Sequence, residues 1–332
     1  MASILEQVDM RDADAVIAAL RDGARANLES RCRRGSVDVV EVRPEDRGTR
    51  AGTLIATGDL HDNPLHLARL VRAAGMEEVG TATLRVATSP EEPNQRHAHE
   101  RHAERGGTHL TLHELIHGDR MINGMDYSYR VLARAAALKR AFPERMHVLL
   151  ANHEIAQYVG SPVMKDGVRC NEAFEEALDA AFGERWKDVY EHVREFIRSM
   201  PLALRVKRGE RDGLGDVLCA HSLPSAHLMD RFDLGVLDRE LTDEDFQPRR
   251  GSAYLMTWGR DHTPEHLAML GERWGVELFV LGHEKAENGC NVIAPNAAVL
   301  NSDHERGVYA RVDMTGVRTA EDVAEACVPL SE

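Results

Sequence analysis

Six short apolar runs alternate with helical patterns, and this alternation constrains the fold of the chain more than any other feature. The runs are TLIATG (53–58), HLTLH (109–113), HVLLA (147–151), VLCA (217–220), LFVLG (278–282) and GVYARVD (307–313). Helical patterns cover residues 9–30, 64–75, 126–142 and 171–200. Asp62 and Asn63 precede Pro64, a common way for a helix to begin, so we expect them to cap the second helix. Such an alternation predicts a layered α/β fold.

A side chain able to bind a metal or a proton follows each of the first five runs. These side chains are Asp59 and His61, then Glu114, then Asn152, His153 and Glu154, then His221, and finally His283. In an open α/β sheet the carboxyl ends of the strands share one edge, so we expect these groups to converge. Crowded carboxylates repel one another and raise each other's pKa values, and bound cations remove that repulsion. Nitrogen and oxygen donors without thiolate favour Mn, Fe, Zn or Ni, so the pattern predicts a metal site.

Composition and charge exclude several classes of function. The 332 residues are 43% hydrophobic and 29% charged, which is ordinary for a soluble globular protein. A net charge of −14 disfavours nucleic acid or an anionic membrane as the partner. No apolar stretch approaches the roughly 18 residues of a membrane helix, and the N-terminus lacks the features of a secretion signal. Five widely spaced cysteines without a CxxC pair indicate reduced thiols, so we expect a cytoplasmic protein.

Taken together, the motifs resemble the calcineurin-like metallophosphoesterases, and within them the catalytic domain of the phosphoprotein (serine/threonine) phosphatases. That family carries Gly-Asp-x-His, Gly-Asp-x-x-Asp-Arg-Gly, Gly-Asn-His-Glu, a later histidine and a final histidine. The corresponding segments here are GDLH (58–61), a distorted second element, ANHE (151–154), AHSLP (220–224) and GH (282–283). The resemblance covers about residues 54–313 and implies a central β-sandwich of mixed sheets, flanked by helices and carrying a helical cap.

The resemblance also implies a division of the chain. We expect a single metallophosphoesterase domain over 1–332, because no repeat or linker argues for a split. Its expected parts are an N-terminal helix and lead-in (1–50), the first half of the metal site (51–154), a helical cap (155–215), the second half of the metal site (216–315) and a C-terminal tail (316–332). The polar segment 88–108 contains His97, His99 and His102, but its composition is typical of a solvated loop rather than a metal site.

The second element departs from the family and leaves two alternatives for the residue that bridges two metals. In the first, Glu114 bridges, and Asp119 and Arg120 are the family's later Asp-Arg pair after an insertion. In the second, Gly118-Asp119 is the Gly-Asp of the motif and Asp119 bridges. We favour Glu114, because it directly follows an apolar run as the other ligands do, whereas Asp119 lies five residues farther into a loop.

By resemblance, the site holds two divalent metal ions, with manganese the first choice in vitro. The implied ligands are Asp59, His61 and Glu114 for one ion, and Glu114, Asn152, His221 and His283 for the other. His153 would protonate the leaving group, with Asp119 orienting its ring. The implied phosphate-binding residues are Arg120, Arg250 and Asn152.

The resemblance implies a hydrolase that cleaves phosphomonoesters by in-line attack of a hydroxide bridging the two metals. Its expected partners are a phosphorylated protein or a small phosphorylated metabolite. One alternative is a dinucleoside polyphosphate hydrolase, which cleaves a phosphoanhydride at a related site. Another is a non-catalytic metal-binding scaffold, if the altered second element has cost the chain a metal.

Overall fold

A computed structural model of the chain describes residues 4–43, 52–77, 107–165, 167–208 and 213–331. The strands of this part are β1 (Val39–Val42), β2 (Thr53–Thr57), β3 (Thr108–Leu112), β4 (Met146–Val148), β5 (Met164–Lys165), β6 (Val168–Arg169), β7 (Ala203–Val206), β8 (Asp216–Ala220), β9 (Val276–Leu281), β10 (Cys290–Ala294), β11 (Ala297–Leu300), β12 (Val308–Asp313) and β13 (Cys327–Pro329). The α-helices are α1 (Ala13–Leu28), α2 (Pro64–Ala73), α3 (Tyr129–Ala141), α4 (Asn152–Val159), α5 (Cys170–Phe182), α6 (Trp186–Ser199), α7 (Ser252–Thr257), α8 (Pro264–Trp274) and α9 (Ala320–Glu325).

Two mixed sheets form the centre of the molecule. One has the strand order β1-β7-β8-β9-β11-β10, and the other has the order β13-β12-β2-β3-β4. A buried apolar cluster draws side chains from both sheets, for example Leu54 and Ala56 of β2 with Val217 of β8 and Val280 of β9. Between the two β2 residues lies Ile55, which instead joins the cluster formed with the helices. This alternation gives β2 one face toward the opposite sheet and one toward the helices, so the expected β-sandwich flanked by helices is confirmed.

All six apolar runs form strands, as the sequence predicted. Strands β2, β3 and β4 are parallel neighbours in the five-stranded sheet, and β8 and β9 are parallel neighbours in the six-stranded sheet. The five strand ends that carry polar groups therefore belong to two sheets, not to the single sheet edge that the sequence argument assumed. Hydrogen bonds across the gap bring the two sets of ends together, and one runs from the backbone N–H of His283 to Asp59.

The predicted helices form, with one correction. Helix α2 begins at Pro64, and the side chain of Asn63 accepts a hydrogen bond from the backbone N–H of His66. Of the two residues expected to cap this helix, Asn63 is the N-cap. The stretch 171–200 is not one helix but two, α5 and α6, because Gly183 adopts φ +54° and turns the chain between them. Helix α6 buries the expected apolar face and packs on α1.

Two of the expected parts contain strands as well as helices. Residues 155–215 include α5 and α6 but also β7, which lies between β1 and β8 in the six-stranded sheet. The C-terminal segment 316–332 supplies α9 and β13, which pairs with β12 at the edge of the other sheet. The division into parts stays a prediction, and most of the polar segment 88–108, including its three histidines, lies outside the described residues. No helix in the described ranges is long and apolar enough to cross a membrane.

Candidate metal centre

The polar groups that follow the strands lie together at the ends of the two sheets. Three overlapping groups place metal-binding atoms within 4.8 Å of one another. They are Asp59, His113 and His221; His61, Glu114 and His153; and Glu114, His221 and His283. Five of the six side chains predicted as ligands appear in these groups, and the sixth, Asn152, contacts His221 at 2.6 Å.

Backbone hydrogen bonds hold the strand ends in register. The N–H groups of Leu60 and His61 donate to the carbonyl oxygen of Glu114, at 3.2 and 2.8 Å. His61, Glu114 and His283 all have left-handed backbone, with φ of 43°, 51° and 66°. Such backbone is costly for residues other than glycine and clusters at functional sites. These three side chains therefore reach the cluster from backbone that carries local strain.

Glu114 is the central group of the cluster. Its Oε1 lies 3.1 Å from His153 Nδ1 and 3.9 Å from His61 Nε2, and its Oε2 lies 2.7 Å from His221 Nε2. Burial alone would raise the pKa of this carboxyl, but the imidazoles of His153, His221 and His61 outweigh burial and hold the pKa well below its ordinary value. Glu114 is therefore a carboxylate shared between two sets of nitrogen donors.

The amide of Asn152 supplies a test of whether these residues fit a cation. The amide atom assigned as Oδ1 lies 3.0 Å from Glu114 Oε2, 2.6 Å from His221 Nε2 and 3.2 Å from His283 Nδ1, all of which are acceptors in their unprotonated forms. An oxygen facing only acceptors is repelled. Either the amide nitrogen, with the amide turned over, or a cation bound among these lone pairs removes the repulsion. Ligand atoms about 2.1 Å from one ion lie about 3 Å apart when they subtend a right angle, so the spacing also fits a metal.

Asp59 and His221 are electrostatically tied to Glu114. Burial, and next the charge of Glu114, raise the pKa of Asp59 above its ordinary value. Burial opposes protonation of His221, but Glu114 and Asp59 more than offset it and raise the pKa of His221. The pKa values of these groups thus depend on one another, as is typical of acids and bases that lie close together in a buried site. A bound cation would reduce the repulsion between the two carboxylates.

The sequence analysis missed His113, which lies at the end of β3 immediately before Glu114. Its Nε2 is 2.8 Å from the carbonyl oxygen of Thr57, and its Nδ1 is 3.1 Å from His221 Nδ1. Burial, followed by the charge of His221, lowers the pKa of His113 to about 3. Because His113 is the last residue of the apolar run HLTLH, the sequence analysis counted it as part of the strand. A polar ring at the end of an apolar run could nevertheless have indicated a site residue.

His153 and Asp119 are not brought together as the sequence analysis expected. The carboxylate of Asp119 is exposed and lies 2.8 Å from Lys165 Nζ. The rings beside His153 are instead those of His61 and His117, with centroids 5.3 and 5.5 Å away. The Nδ1 atom of His117 lies 2.7 Å from Asp126. Burial lowers the pKa of His153 to about 3, and Glu114 only partly offsets it.

Glu154 fixes the loop that carries Glu114. Its Oε1 accepts hydrogen bonds from the backbone N–H groups of Leu115 at 2.7 Å and Ile116 at 3.3 Å. Burial, and next the charge of Glu114, raise the pKa of Glu154 to about 7. This glutamate of the ANHE segment therefore supports the position of Glu114 rather than adding a ligand.

Of the two arginines chosen from the sequence, Arg120 adjoins a ligand loop, whereas Arg250 borders a different cavity. Arg120 donates to the carbonyl oxygen of His61 at 2.8 Å and forms an ion pair with Asp303 at 2.6 Å. Arg250 borders a separate cavity, of about 490 Å³, that none of the predicted ligands lines. Arg260, which the sequence analysis did not select, donates to the carbonyl oxygen of His283 at 2.9 Å. Two guanidinium groups, those of Arg120 and Arg260, thus adjoin ligand loops.

The fold is shared with solved phosphatase structures. A protein serine/threonine phosphatase from Saccharomyces cerevisiae, with similarity to human phosphatase PP5, superposes with a TM-score of 0.58 at 14% identity, over 91% of this chain and 83% of that one. A cold-active protein-tyrosine phosphatase from the psychrophile Shewanella sp. superposes with a TM-score of 0.51 at 13% identity, over 83% of this chain and 77% of that one. At these identities the likeness establishes the fold alone.

The sequence itself identifies the family. No curated protein matches it significantly. Residues 52–286, well over half of the chain, match the calcineurin-like phosphoesterase family, and this range contains every ligand that the strand ends supply. The chain therefore belongs to the calcineurin-like phosphoesterases.

Proposed function

We propose that this protein is a binuclear metal-dependent phosphoesterase that hydrolyses phosphomonoesters of a phosphorylated protein or a small metabolite. The observation that carries the proposal is the amide atom assigned as Asn152 Oδ1, which faces Glu114, His221 and His283 at 2.6–3.2 Å. Together with the three groups of metal-binding atoms that lie within 4.8 Å of one another, this buried set of acceptors supports a cation site. In the metal-free protein the amide nitrogen, turned to face the acceptors, satisfies the same lone pairs. Family membership supports phosphate ester cleavage as the use of that cation.

We assign the ligands as the resemblance implies. Asp59, His61 and Glu114 would hold one divalent ion, and Glu114, Asn152, His221 and His283 would hold the other. When bound, the two ions would lower the pKa of a coordinated water toward neutrality and neutralise charge on the phosphoryl oxygens. Manganese is our first choice for loading in vitro, as the resemblance implies; the oxygen and nitrogen donors also suit iron, zinc and nickel.

Glu114 is our choice for the bridging ligand. Its two oxygens face different nitrogens, with Oε1 near His153 and His61 and Oε2 near His221. Asp119 is exposed and paired with Lys165. A bridging carboxylate must lie between the ligands of the first ion and those of the second. Of the two candidates, Glu114 lies in that position and Asp119 does not.

His153 is our proton donor to the leaving oxygen. Its side chain is 12% exposed, whereas that of His221 is fully buried, so of these two rings His153 is the one a substrate can reach. In the free protein the lowered pKa keeps its ring neutral. A bound phosphate dianion would favour the imidazolium, because an opposite charge within a few ångströms stabilises the charged form. In the substrate complex the ring would then supply the proton as the imidazolium.

Arg120 and Arg260 are the candidates for binding the phosphoryl group. Arg260 donates one N–H to the carbonyl oxygen of His283, and Arg120 donates to the carbonyl oxygens of His61 and Asp303 and to the Asp303 carboxylate. The remaining N–H groups of each planar guanidinium are free to bind phosphate oxygens. Arg120 is also anchored by Asp303. Arg250, our choice from the sequence, borders a different cavity, so it is the weakest of the three.

We place the activity in the cytoplasm. All five cysteines are free, and each is at least partly buried. Burial raises the pKa of the Cys219 thiol to about 12, which disfavours the reactive thiolate. These thiols suit a reducing compartment.

The test is turnover by the manganese-loaded protein of p-nitrophenyl phosphate, a phosphoserine peptide and a dinucleoside tetraphosphate. We expect the phosphomonoesters to be hydrolysed, with about two ions bound per chain. Asp59→Asn should abolish turnover, while Asp230→Asn, which changes an exposed carboxylate, should not. Cleavage of the dinucleoside tetraphosphate alone would indicate a phosphoanhydride hydrolase. No hydrolysis of any substrate, with at most one ion bound, would indicate a scaffold.

A further inference from the structure

His113 forms one end of a hydrogen-bonded chain that leads to the metal centre. Its Nε2 lies 2.8 Å from the carbonyl oxygen of Thr57, which can only accept a hydrogen bond. That nitrogen therefore carries the proton, and in the neutral ring Nδ1 is left with a lone pair. The Nδ1 atom lies 3.1 Å from Nδ1 of His221, so His221 must be the donor between the two rings.

The other nitrogen of His221 faces the centre. His221 Nε2 lies 2.7 Å from Glu114 Oε2, 2.6 Å from the amide of Asn152 and 3.1 Å from His283 Nδ1. A neutral imidazole carries one proton, and the hydrogen bond to His113 places that proton on Nδ1. The Nε2 atom is then unprotonated, which is the form that a divalent cation requires.

Gly282 leaves the room that His113 occupies. A Cβ atom at position 282 would collide with Cε1 of His113 and with Oδ1 of Asp59. His113 itself is almost completely buried, with 2% of its surface exposed. The imidazole is thus held by Thr57 on one side and by a glycine backbone on another, in a pocket built for a ring.

We propose that His113 is a positioning residue that accepts the Nδ1 proton of His221 and so fixes the tautomer and orientation in which His221 binds metal. This inference rests on the proposed metal site and extends it to a group that is not itself a ligand. Partners of this kind typically change metal affinity by about 10- to 100-fold when they are lost.

A matched pair of variants separates the two hydrogen bonds of His113. In His113→Asn the amide lies where Nδ1 was, so its oxygen still accepts from His221. In His113→Gln the amide lies where Nε2 was, so it still donates to Thr57 but no longer accepts from His221 Nδ1–H. The acceptor that remains near this N–H is Asp59 Oδ1, at the longer distance of 3.5 Å. Both variants remove the ring, so any general cost of the lost packing is common to both.

The measurement is calorimetric titration of the metal-free proteins with Mn²⁺, together with the histidine count per metal from X-ray absorption of the zinc-loaded forms. We expect His113→Gln to bind the ion that His221 holds about 10- to 100-fold less tightly, and His113→Asn to stay within about threefold of the wild type. The histidine count should be the same in all three proteins. The melting temperatures of the metal-free variants should agree, which shows that the difference does not come from folding.

Two results would overturn the inference. Equal metal affinities of the Asn and Gln variants would show that the hydrogen bond to His221 has no role. A histidine count that falls by one in His113→Gln would show that His113 is a ligand itself. Failure of the wild type to bind any divalent cation would instead overturn the proposed function, so the two failures can be told apart.

Discussion

The two sides of Glu114 differ in their access to solvent. On the Oε2 side lie His221, Asn152 and His283, all buried, with His221 completely enclosed and hydrogen-bonded to His113. On the Oε1 side lie His61 and His153, whose side chains are 14% and 12% exposed. The dry side has fixed hydrogen-bond partners and suits the permanent retention of an ion. The wetter side is the one that solvent, and therefore a substrate, can reach, so we expect changes there to affect turnover more than metal content.

Glu114→Gln should have the largest effect, because it removes the charge that both sides share. We expect the metal content to fall from about two ions per chain to near zero and turnover to disappear. Metal analysis after gel filtration in manganese measures the first quantity. Asp119→Asn is the control, and it should keep both ions. If Asp119→Asn instead empties both positions, Asp119 is the bridge and the assignment of Glu114 is wrong.

His153→Ala should separate the two sides. Removal of a general acid costs about two to four orders of magnitude in turnover. We expect that loss with the metal content unchanged, because the dry side stays intact. A fall in bound metal that parallels the loss of turnover would make His153 a ligand, which the short distance between its Nδ1 and Glu114 allows. The same experiment on His221→Ala should show the opposite pattern, with metal lost first.

The sequence predicted the strands whose ends carry the chemistry, because their apolar runs are long and stop abruptly at polar residues. It missed β1, β5, β6, β7, β10, β11 and β13, most of which have four residues or fewer. Strand β10 shows why, since Asn291 and Val292 are exposed and only Ala294 is fully buried, so no clear apolar pattern forms. Strands of this kind are defined by their partners in the sheet rather than by their own composition.

The sequence also predicted the main ligand candidates but not the groups that surround them. His61, Glu114 and His283 adopt left-handed backbone. The sequence usually indicates such backbone by a glycine, and these positions are not glycine. The ion pair of Asp119 with Lys165 joins residues that are far apart in sequence, so spacing could not indicate it. For the same reason, the contact of His113 with His221 and that of Arg260 with the His283 loop became visible only once the two sheets were packed together.

The three arginines provide a smaller and more specific test of the wetter side. A charge-assisted hydrogen bond contributes roughly 1.5–3 kcal/mol, so Arg120→Ala and Arg260→Ala should each lower kcat/KM by about 10- to 100-fold. Arg250→Ala should leave kcat/KM within about threefold, because surface substitutions away from a site are usually small in effect. Steady-state kinetics with p-nitrophenyl phosphate measures all three. A larger effect of Arg250 than of Arg260 would mean that the substrate extends into the other cavity.

The smallest expected effect concerns His117, which lies beside His153 on the wetter side. Its Nδ1 is 2.7 Å from Asp126, and its buried Nε2 has no hydrogen-bond partner among the residues described. His117→Asn keeps a polar group near Asp126 but removes the ring that packs beside His153. We expect a loss of about three- to tenfold in turnover of an alkyl phosphate, below the full loss of a general acid.

The reason is that an alkoxide leaves poorly and needs the proton from a correctly placed His153, whereas p-nitrophenolate leaves readily without one. His117→Asn should therefore spare p-nitrophenyl phosphate, and the ratio of the two rates is the measurement. An equal loss on both substrates, with metal content unchanged, would mean that His117 supports the site as a whole. In that case the orientation of the His153 ring depends on Glu114 and His61 and not on His117.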